Sequence, residues 1–392
     1  MSIENFRAEA RDWIEDNCPQ DMRLGAVHFE DAPELYRTDA AIAWRDRAAA
    51  RGWTAPMWPT EYGGGGLNGQ QTQVLREEYA KIKALPPAVG MGLTMIGPTL
   101  LEFGTDEQKA RHIPKIVTGE AQWCQGYSEP GAGSDLAGLQ TKAVIDGDNF
   151  VLNGQKIWTS GAQFANWMFA LVRTDPDAPK HDGISFVLLP MDQPGVTVKP
   201  IKLISGSSPF CETFFDDAIA KREDLVGDLN KGWTVGKRLL QFERNAVAPA
   251  SPKKKKPTLN AYARLAKQYS GEDSSGRIND ADARREVLQQ VMQERAMALT
   301  TRRVLDEAKS SGAPGAATSI FKLVGSTLSK EGSQLKSRLR GTAGVAWEGE
   351  GFSNEELEST RSWLRDRAVT IYGGTNEVQM NIIAKRVLGL PD

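Results

Sequence analysis

Two short stretches carry residue types that could hold an aromatic or anionic ligand. The first, WCQGYSEPGAGSDLAGLQTKA at Trp123 to Ala143, places four small residues after a Glu-Pro turn, where backbone amides and a hydroxyl can lie close to a flat or anionic group. The second, NGQKIWTSGA at Asn153 to Ala162, sets an indole beside two hydroxyls, which suits the ring edge of an aromatic cofactor. Taken alone, either stretch could be an ordinary β-hairpin turn.

A third stretch, IYGGTNEVQ at Ile371 to Gln379, follows near the end of the chain. In this order and spacing, the three motifs resemble those of the acyl-CoA dehydrogenase family, and the resemblance covers nearly the whole chain. It implies FAD as the cofactor, an acyl-CoA as the substrate and an electron-transfer flavoprotein as the electron acceptor. It also implies a place in the β-oxidation of fatty acids or of a steroid side chain.

The resemblance assigns the cofactor contacts position by position. Gln125, Tyr127 and Ser128 match residues that meet the pyrimidine edge of the flavin ring. Trp158 matches a residue that covers a ring face, and Ser160 one that approaches the reactive nitrogen edge. The full set of expected cofactor contacts is Gln125, Tyr127, Ser128, Gly133, Ser134, Trp158, Thr159, Ser160, Arg277, Gly374, Thr375 and Glu377.

Dehydrogenation of an acyl thioester requires a base for the α proton, a hydride acceptor at the β carbon and donors to the carbonyl. Side chains cannot accept hydride, so a flavin must. Many family members carry the base, a glutamate, in a C-terminal Y-E-G-T sequence, but here Gly373 stands at its position. Other members place it on the first helix of the C-terminal domain, directly before an arginine, and QFERNA offers Glu243 followed by Arg244. The resemblance therefore implies Glu243 as the base.

Glu243 also has a purely structural interpretation, as a surface carboxylate that pairs with a neighbouring turn of its helix for about 0.3 to 0.5 kcal/mol. In a substrate cavity that excludes water, its pKa should instead be raised, which would make it a stronger base. The resemblance implies that the Gly373 amide donates to the thioester carbonyl, and we assign Ser134, Arg244 and Gly373 to the substrate. The missing side chain at Gly373 would leave room for a branched, long or ring-bearing acyl group.

One segment departs from the family pattern. Members commonly carry R-x-x-F-G after the base helix, with an arginine that binds the flavin pyrophosphate of a neighbouring subunit. Here the region reads KQYSGEDSSGRINDAD, without a Phe-Gly pair, and Arg277 could substitute. The family implies a homo-oligomer, either a dimer or a homotetramer, but this departure leaves a hetero-oligomer open.

Two rival functions follow from these departures. One is an oxidase on the same fold, in which the reduced flavin meets oxygen. The other is a non-catalytic subunit that binds coenzyme A within a mixed acyl-CoA dehydrogenase assembly. Slow reoxidation in air would argue against the first, and an isolated chain that binds no flavin would favour the second.

Composition narrows the class of protein. The chain has 392 residues, 40% hydrophobic and 25% charged, with a formal charge of -2, which indicates a globular protein and neither a nucleic-acid nor a membrane surface. No apolar run reaches the roughly 18 residues of a membrane span, and the charged start lacks a signal peptide, so we expect a cytoplasmic protein. Three cysteines and three histidines predict neither disulfides nor a metal site.

The elements that must position these motifs follow from periodicity. Periodicity predicts helices over residues 1–120, β structure with an IDGDNFVLNG hairpin over 121–230, and helices again over 231–392, an α+β multidomain fold. The resemblance implies that these are an α-helical domain, a β-barrel-like domain and a four-helix bundle. Thr105 is the expected N-cap of one helix and Gly52 the C-terminal cap of another. The loop Trp53 to Gly69 could line a cofactor cleft or pack against its own aromatic residues. The lysine run Lys253 to Lys256 predicts a solvated loop, with contact to the phosphates of coenzyme A as the alternative.

Overall fold

The computed structural model describes residues 2–27, 31–247, 261–311 and 318–391, and it excludes the side chains of residues 243–247, 305, 308–311 and 318. Contacts between Cα atoms divide the chain into two units. The first comprises Met1–Ile201 with Ser208–Ala248, and the second Lys202–Ser207 with Pro249–Asp392. The chain runs from helices through a curled sheet to helices again, so the predicted fold class is confirmed.

The first unit begins with amphipathic helices that pack around a core of tryptophan and aliphatic side chains. Thr105 is an N-cap as predicted, because its hydroxyl accepts from the Gln108 amide at 3.2 Å. Gly52 closes a helix with a φ of +69°, while the Trp53 amide donates to the Ala48 carbonyl at 2.8 Å. The helices are α1 Ile3–Asn17, α2 Ala32–Leu35, α3 Asp39–Ala49, α4 Gly69–Lys81, α5 Gly97–Phe103 and α6 Asp106–Thr118.

The proline- and glycine-rich loop between α3 and α4 packs against its own aromatic residues. Trp53 is buried in the helical core, and Trp58 packs on the core between the helices and the sheet. A Cβ on Gly64 would stand 2.4 Å from the Trp58 carbonyl oxygen, so only glycine allows this close approach. One turn of 3-10 helix, Thr60–Tyr62, lies within this loop between Pro59 and Gly63.

A buried carboxylate joins α1 to α4. Glu78 is 2% exposed, and it accepts hydrogen bonds from Lys81 Nζ at 2.7 Å and from Arg7 Nη1 at 2.8 Å. Burial alone would raise the pKa of Glu78, but the hydrogen bonds with Lys81 and Arg7 outweigh it and lower the pKa. Arg7 also pairs with the more exposed Glu77 at 2.8 Å.

We expect Glu78→Gln to lower the free energy of unfolding at pH 7 by about 1.5 to 3 kcal/mol, since it removes charge-assisted hydrogen bonds from a buried site. A carboxylate with a lowered pKa stabilises the fold above its ordinary pKa of 4.5 and loses that contribution as the pH falls through the folded value. The difference from the wild type, measured by urea denaturation, should therefore shrink in acid. Glu77→Gln is the matched control, with an expected loss below about 1 kcal/mol. Equal losses in the two variants would contradict this.

Seven strands form a curled sheet. Their order is β1-β4-β2-β3-β7-β6, and β5 pairs with β4. The predicted hairpin is present at Asp-Gly, where Asp146 faces Asn149 and Gly147 has a φ of +56°. The Asn-Gly pair differs, because Gly154 lies within a strand at a register shift and a Cβ there would stand 2.8 Å from Thr141 Cα. The strands are β1 Trp123–Gly126, β2 Lys142–Asp146, β3 Asn149–Ser160, β4 Trp167–Arg173, β5 Ile184–Pro190, β6 Val196–Ile201 and β7 Phe210–Lys221.

The two faces of the sheet bury different cores. Phe169, Leu171 and Phe186 face the core shared with α5, α6 and α7 (Gly232–Val247), while Met168 and Ala170 face the inside of the curl. This alternation along β4 is the period of two that a strand imposes. The sheet is therefore covered on both faces, which holds its loops in place.

The second unit is helical. Its core includes Tyr262, Leu265, Val287 and Leu339. The predicted lysine run Lys253 to Lys256 lies outside the described residues. Over the ranges that are described, no helix is long and apolar enough to cross a membrane. The helices are α8 Ala261–Ser270, α9 Ala281–Ser311, α10 Thr318–Leu339, α11 Asn354–Arg365 and α12 Asn376–Ile382.

Candidate active site

The two glycine- and tryptophan-bearing motifs lie side by side in the first unit. The Ile157 amide donates to the Ser128 carbonyl at 2.9 Å, so the first motif meets β3 directly before Trp158. A bulge between Lys156 and Thr159 interrupts the pairing of β3 with β7. Within it, Trp158 has a φ of +60° and is 53% exposed. A bulky residue in this conformation costs about 1–3 kcal/mol, and such strain concentrates at functional sites.

The first motif includes one polar group that lacks a partner. The Gln125 Nε2 is buried and has no hydrogen-bond partner among the described residues. Ser128 and Ser160 are half-buried, and Ser134 is exposed. A Cβ on Gly133 would meet nothing within 4 Å, so open space lies above this turn. An unsatisfied donor, an exposed ring face and an open glycine turn fit a flat, hydrogen-bonding ligand such as a flavin.

Two of the predicted contacts turn inward. The Tyr127 ring packs edge-on against Phe169 and Phe186, at 6.0 and 6.4 Å between ring centroids. The Thr159 hydroxyl is fully buried, where it donates to the Cys211 carbonyl at 2.9 Å. At these two positions only the backbone could reach a ligand on the Trp158 side.

A buried ion pair that the sequence did not predict joins the two motifs. Lys156 is 0% exposed, and its Nζ donates to Glu129 Oε1 at 2.8 Å and to the Tyr127 carbonyl at 3.1 Å. The Glu129 carboxylate also accepts from the Gln140 amide at 2.6 Å and from the Thr141 amide at 2.9 Å. The sequence signal for this pair was the position of Lys156 on the buried side of a strand, because a buried lysine is rare unless it is paired.

Helix α7, which carries the predicted base, packs closely on the sheet. A Cβ on Gly232 would stand 2.2 Å from the Phe186 amide nitrogen, and one on Gly236 would stand 3.3 Å from the Tyr127 hydroxyl. Leu239 is fully buried. Glu243 follows one turn later in the same helix, directly before Arg244. The side chains of both residues lie outside the described part of the chain.

The C-terminal motif lies in the second unit. Gly373 and Gly374 have φ values of +64° and +89°, and Gly373 is exposed. Thr375 is the N-cap of α12, where its hydroxyl accepts from the Val378 amide at 3.1 Å. Glu377 is exposed in the first turn of that helix. A side chain at position 373 would be strained by the left-handed backbone.

Helix α10 holds this turn through residues that the sequence did not predict. Lys322 Nζ donates to the Val369 carbonyl at 2.6 Å, and Ser326 Oγ donates to Asn376 Oδ1 at 3.0 Å. Burial lowers the pKa of Lys322. A Cβ on Gly373 would stand 3.6 Å from Lys322 Cε, so the lysine stem lies directly beside the glycine.

Arg277 lies elsewhere in the second unit, in the loop between α8 and α9. Its Nε donates to Asp273 Oδ2 at 3.0 Å, and Asp273 Oδ1 accepts from the Arg277 amide at 3.0 Å. Hydrogen bonds from Ser275 and Arg277 lower the pKa of Asp273. The guanidinium is therefore held by a carboxylate of its own loop.

Three family models match successive parts of the chain. They are the acyl-CoA dehydrogenase N-terminal domain over residues 2–120, the middle domain over 124–218 and the C-terminal domain over 230–388. The middle-domain match contains the paired motifs from Cys124 onward, and the C-terminal match contains α7 and the C-terminal turn.

Curated relatives match over the full length. The acyl-CoA dehydrogenase IpdE1 of Mycolicibacterium smegmatis is 37% identical over 408 residues, covering 100% of this chain and 98% of the relative. The acyl-CoA dehydrogenase FadE26 of Mycobacterium tuberculosis is 33% identical over 407 residues, covering 99% and 97%. Both values are high enough to establish kinship along the whole chain.

Solved structures share the fold. The ChsE4-ChsE5 complex from Mycobacterium tuberculosis has 30% identity and a TM-score of 0.73, covering 100% of this chain and 98% of the matched chain. The Tcur3481-Tcur3483 steroid ACAD has 28% identity and a TM-score of 0.75, with 99% and 97% covered.

Proposed function

Because this chain belongs to the acyl-CoA dehydrogenase family, whose members are FAD-dependent oxidoreductases, we propose that it converts an acyl-CoA thioester to the trans-2-enoyl-CoA. Bound FAD would supply the hydride acceptor, with an electron-transfer flavoprotein as the electron partner. We also propose domain boundaries at 1–120, 121–230 and 231–392 and a cytoplasmic location.

One observation carries this proposal beyond family membership. The hydrogen bond from Ile157 to Ser128 joins the first motif to the residue directly before an exposed indole in a strained conformation. The unpartnered Gln125 Nε2 belongs to one of the predicted flavin contacts of the first motif. A buried donor without a partner is unfavourable by about 1–3 kcal/mol, and a flavin ring edge with carbonyl acceptors would satisfy it.

Each residue of the proposed site has a defined task. Glu243 would remove the α proton, and the Gly373 amide would donate to the thioester carbonyl as negative charge develops there. Trp158 would shield a ring face from water, and Ser160 would approach the ring edge. Ser134 and Arg244 would contact the substrate. Lys322, which anchors the Gly373 turn through Val369, would keep the donating amide in place.

We propose a branched or ring-bearing acyl group as the substrate class. Gly373 has no side chain, and any L-residue there would be strained by the backbone. The neighbour Tcur3481-Tcur3483 is a steroid ACAD. Both points favour a bulky acyl group over a short straight chain.

Anaerobic titration with a panel of straight, branched and ring-bearing acyl-CoAs tests this function. We expect the flavin absorbance to bleach with at least one bulky member and to reoxidise slowly in air. Fast reoxidation would identify an oxidase instead. Bleaching only by short straight chains would overturn the substrate class, and no bleaching by any member would overturn the activity.

A mixed assembly with a second family member is favoured by the loop between α8 and α9. The segment has no Phe-Gly pair, and Arg277 is engaged by Asp273. A partner subunit would then complete the pyrophosphate site. The FAD content of the purified chain tests this, because one FAD per chain in a homo-oligomer would exclude the need for a different partner.

A further inference from the structure

The buried ion pair between the two motifs is placed to act on both. Lys156 precedes Trp158 by two residues, and Glu129 directly follows Ser128. Lys156 Nζ reaches back to the Tyr127 carbonyl at 3.1 Å as well as to Glu129 Oε1 at 2.8 Å. With the bond from Ile157 to Ser128, this makes three links between consecutive residues of the two segments.

Both members of the pair are charged at neutral pH. Burial lowers the pKa of Lys156 to about 8, and Glu129 limits that decrease. Burial alone would raise the pKa of Glu129, but the ammonium of Lys156 and hydrogen bonds at Thr141 and Gln140 outweigh it and lower the pKa. Arg173 is the other charged group that acts on Lys156. An ammonium ion with no solvent contact therefore points at a backbone carbonyl of the cofactor motif.

The peptide group that accepts this hydrogen bond through its carbonyl also carries an N–H donor. The Tyr127 carbonyl and the Ser128 N–H belong to one trans peptide plane, in which the two groups point in opposite directions. Fixing the carbonyl on Lys156 therefore directs the Ser128 N–H away from the buried pair. A cation at the carbonyl also polarises the peptide and strengthens its N–H as a donor.

We propose that Lys156 and Glu129 form a positioning pair for the flavin, in which Lys156 orients the Tyr127–Ser128 peptide so that the Ser128 N–H donates to the pyrimidine edge of the ring. Glu129 keeps the ammonium in place through its own bonds to the Gln140 and Thr141 amides. The inference rests on the proposed function, since it takes FAD as the ligand of these motifs.

Two measurable properties follow from this arrangement. A fixed donor costs no reorganisation when the ligand binds, so the pair should tighten FAD binding. The pyrimidine edge gains negative charge when the flavin is reduced, so a polarised donor should favour the reduced form and raise the midpoint potential. A tenfold change in the preference for the reduced form corresponds to about 30 mV for a two-electron couple.

The deciding variant is the double substitution Lys156→Met with Glu129→Gln. Replacing both charges of a buried pair is often neutral for stability, whereas Lys156→Met alone leaves a buried carboxylate without its partner. We expect the double variant to unfold near the wild-type temperature but to bind FAD about tenfold more weakly, by fluorescence titration of the apoprotein. We also expect its midpoint potential, from a dye-equilibrated titration, to fall by about 30 mV.

A further variant separates positioning from stability. Glu78→Gln weakens a buried ion pair in the helical part of the same unit. It should lower the unfolding temperature while leaving the potential within a few millivolts of the wild type. A folded double variant with wild-type affinity and potential would overturn this inference and leave the proposed function intact. If Glu78→Gln shifted the potential as much, the effect would be one of stability and the inference would fail. A wild-type protein that binds no FAD would overturn the proposed function, and the inference with it.

Discussion

Replacement of Glu243 by glutamine is expected to slow the reduction of bound flavin by an acyl-CoA about 10²- to 10⁴-fold, the usual contribution of a positioned general base. Glutamine keeps the size of the side chain and removes only the basic carboxylate. The position follows from QFERNA in the sequence and from its place on α7, one turn after the buried Leu239. Stopped-flow absorbance under anaerobic conditions measures the rate directly.

Binding must be separated from chemistry in this experiment. The Glu243→Gln protein should still perturb the flavin spectrum when the acyl-CoA is added, since the substrate contacts remain. Glu102→Gln is the matched control. Glu102 lies on α5, and its carboxylate accepts a hydrogen bond at 2.9 Å from Arg238, which lies on the same helix as Glu243. We expect that surface change to leave the rate within about twofold. A Glu243→Gln variant that reduces its flavin at the wild-type rate would show that another group removes the proton.

Trp158→Ala should weaken FAD binding by about tenfold to a hundredfold, with little change in folding stability. Stacking of an aromatic side chain on a nucleic-acid base contributes about 1–3 kcal/mol by alanine substitution, and an indole on a flavin ring is comparable. The stability change should be small because the indole is 53% exposed, and alanine keeps the Cβ at a φ of +60°, so the backbone strain stays the same. Apoprotein titration with FAD and thermal unfolding of the apoprotein measure the two effects.

Trp347→Ala provides the comparison. Trp347 is 39% exposed, and the Arg361 guanidinium lies 5.2 Å from its ring centroid in the second unit. We expect this variant to keep the wild-type FAD affinity. If the two tryptophan variants lost affinity equally, or if Trp158→Ala bound FAD normally, the ring-covering role of Trp158 would be wrong.

Local signals in the sequence were sufficient for the elements of the fold. The N-cap at Thr105, the helix end at Gly52 and the hairpin at Gly147 depend on residues within a few positions of each other, and all three predictions are confirmed. The Asn-Gly pair that ends the same IDGDNFVLNG segment is not a turn, because pairing with β7 places Gly154 at a bulge within β3. Propensity for a positive φ is local, but the choice between turn and bulge depends on a distant strand.

The sequence by itself determined the family, the order of helices and strands, and the residue types of the candidate site. Only the tertiary structure decided which of those residues can face a ligand. A bulge turns Trp158 outward and Thr159 inward, and core packing holds the Tyr127 ring against two phenylalanines. The pairing of Lys156 with Glu129, and of Lys322 with the turn before Gly373, joins residues 27 and 47 positions apart. Such contacts depend on the free energy of packing and desolvation of the whole core, and periodicity along the chain carries no record of them.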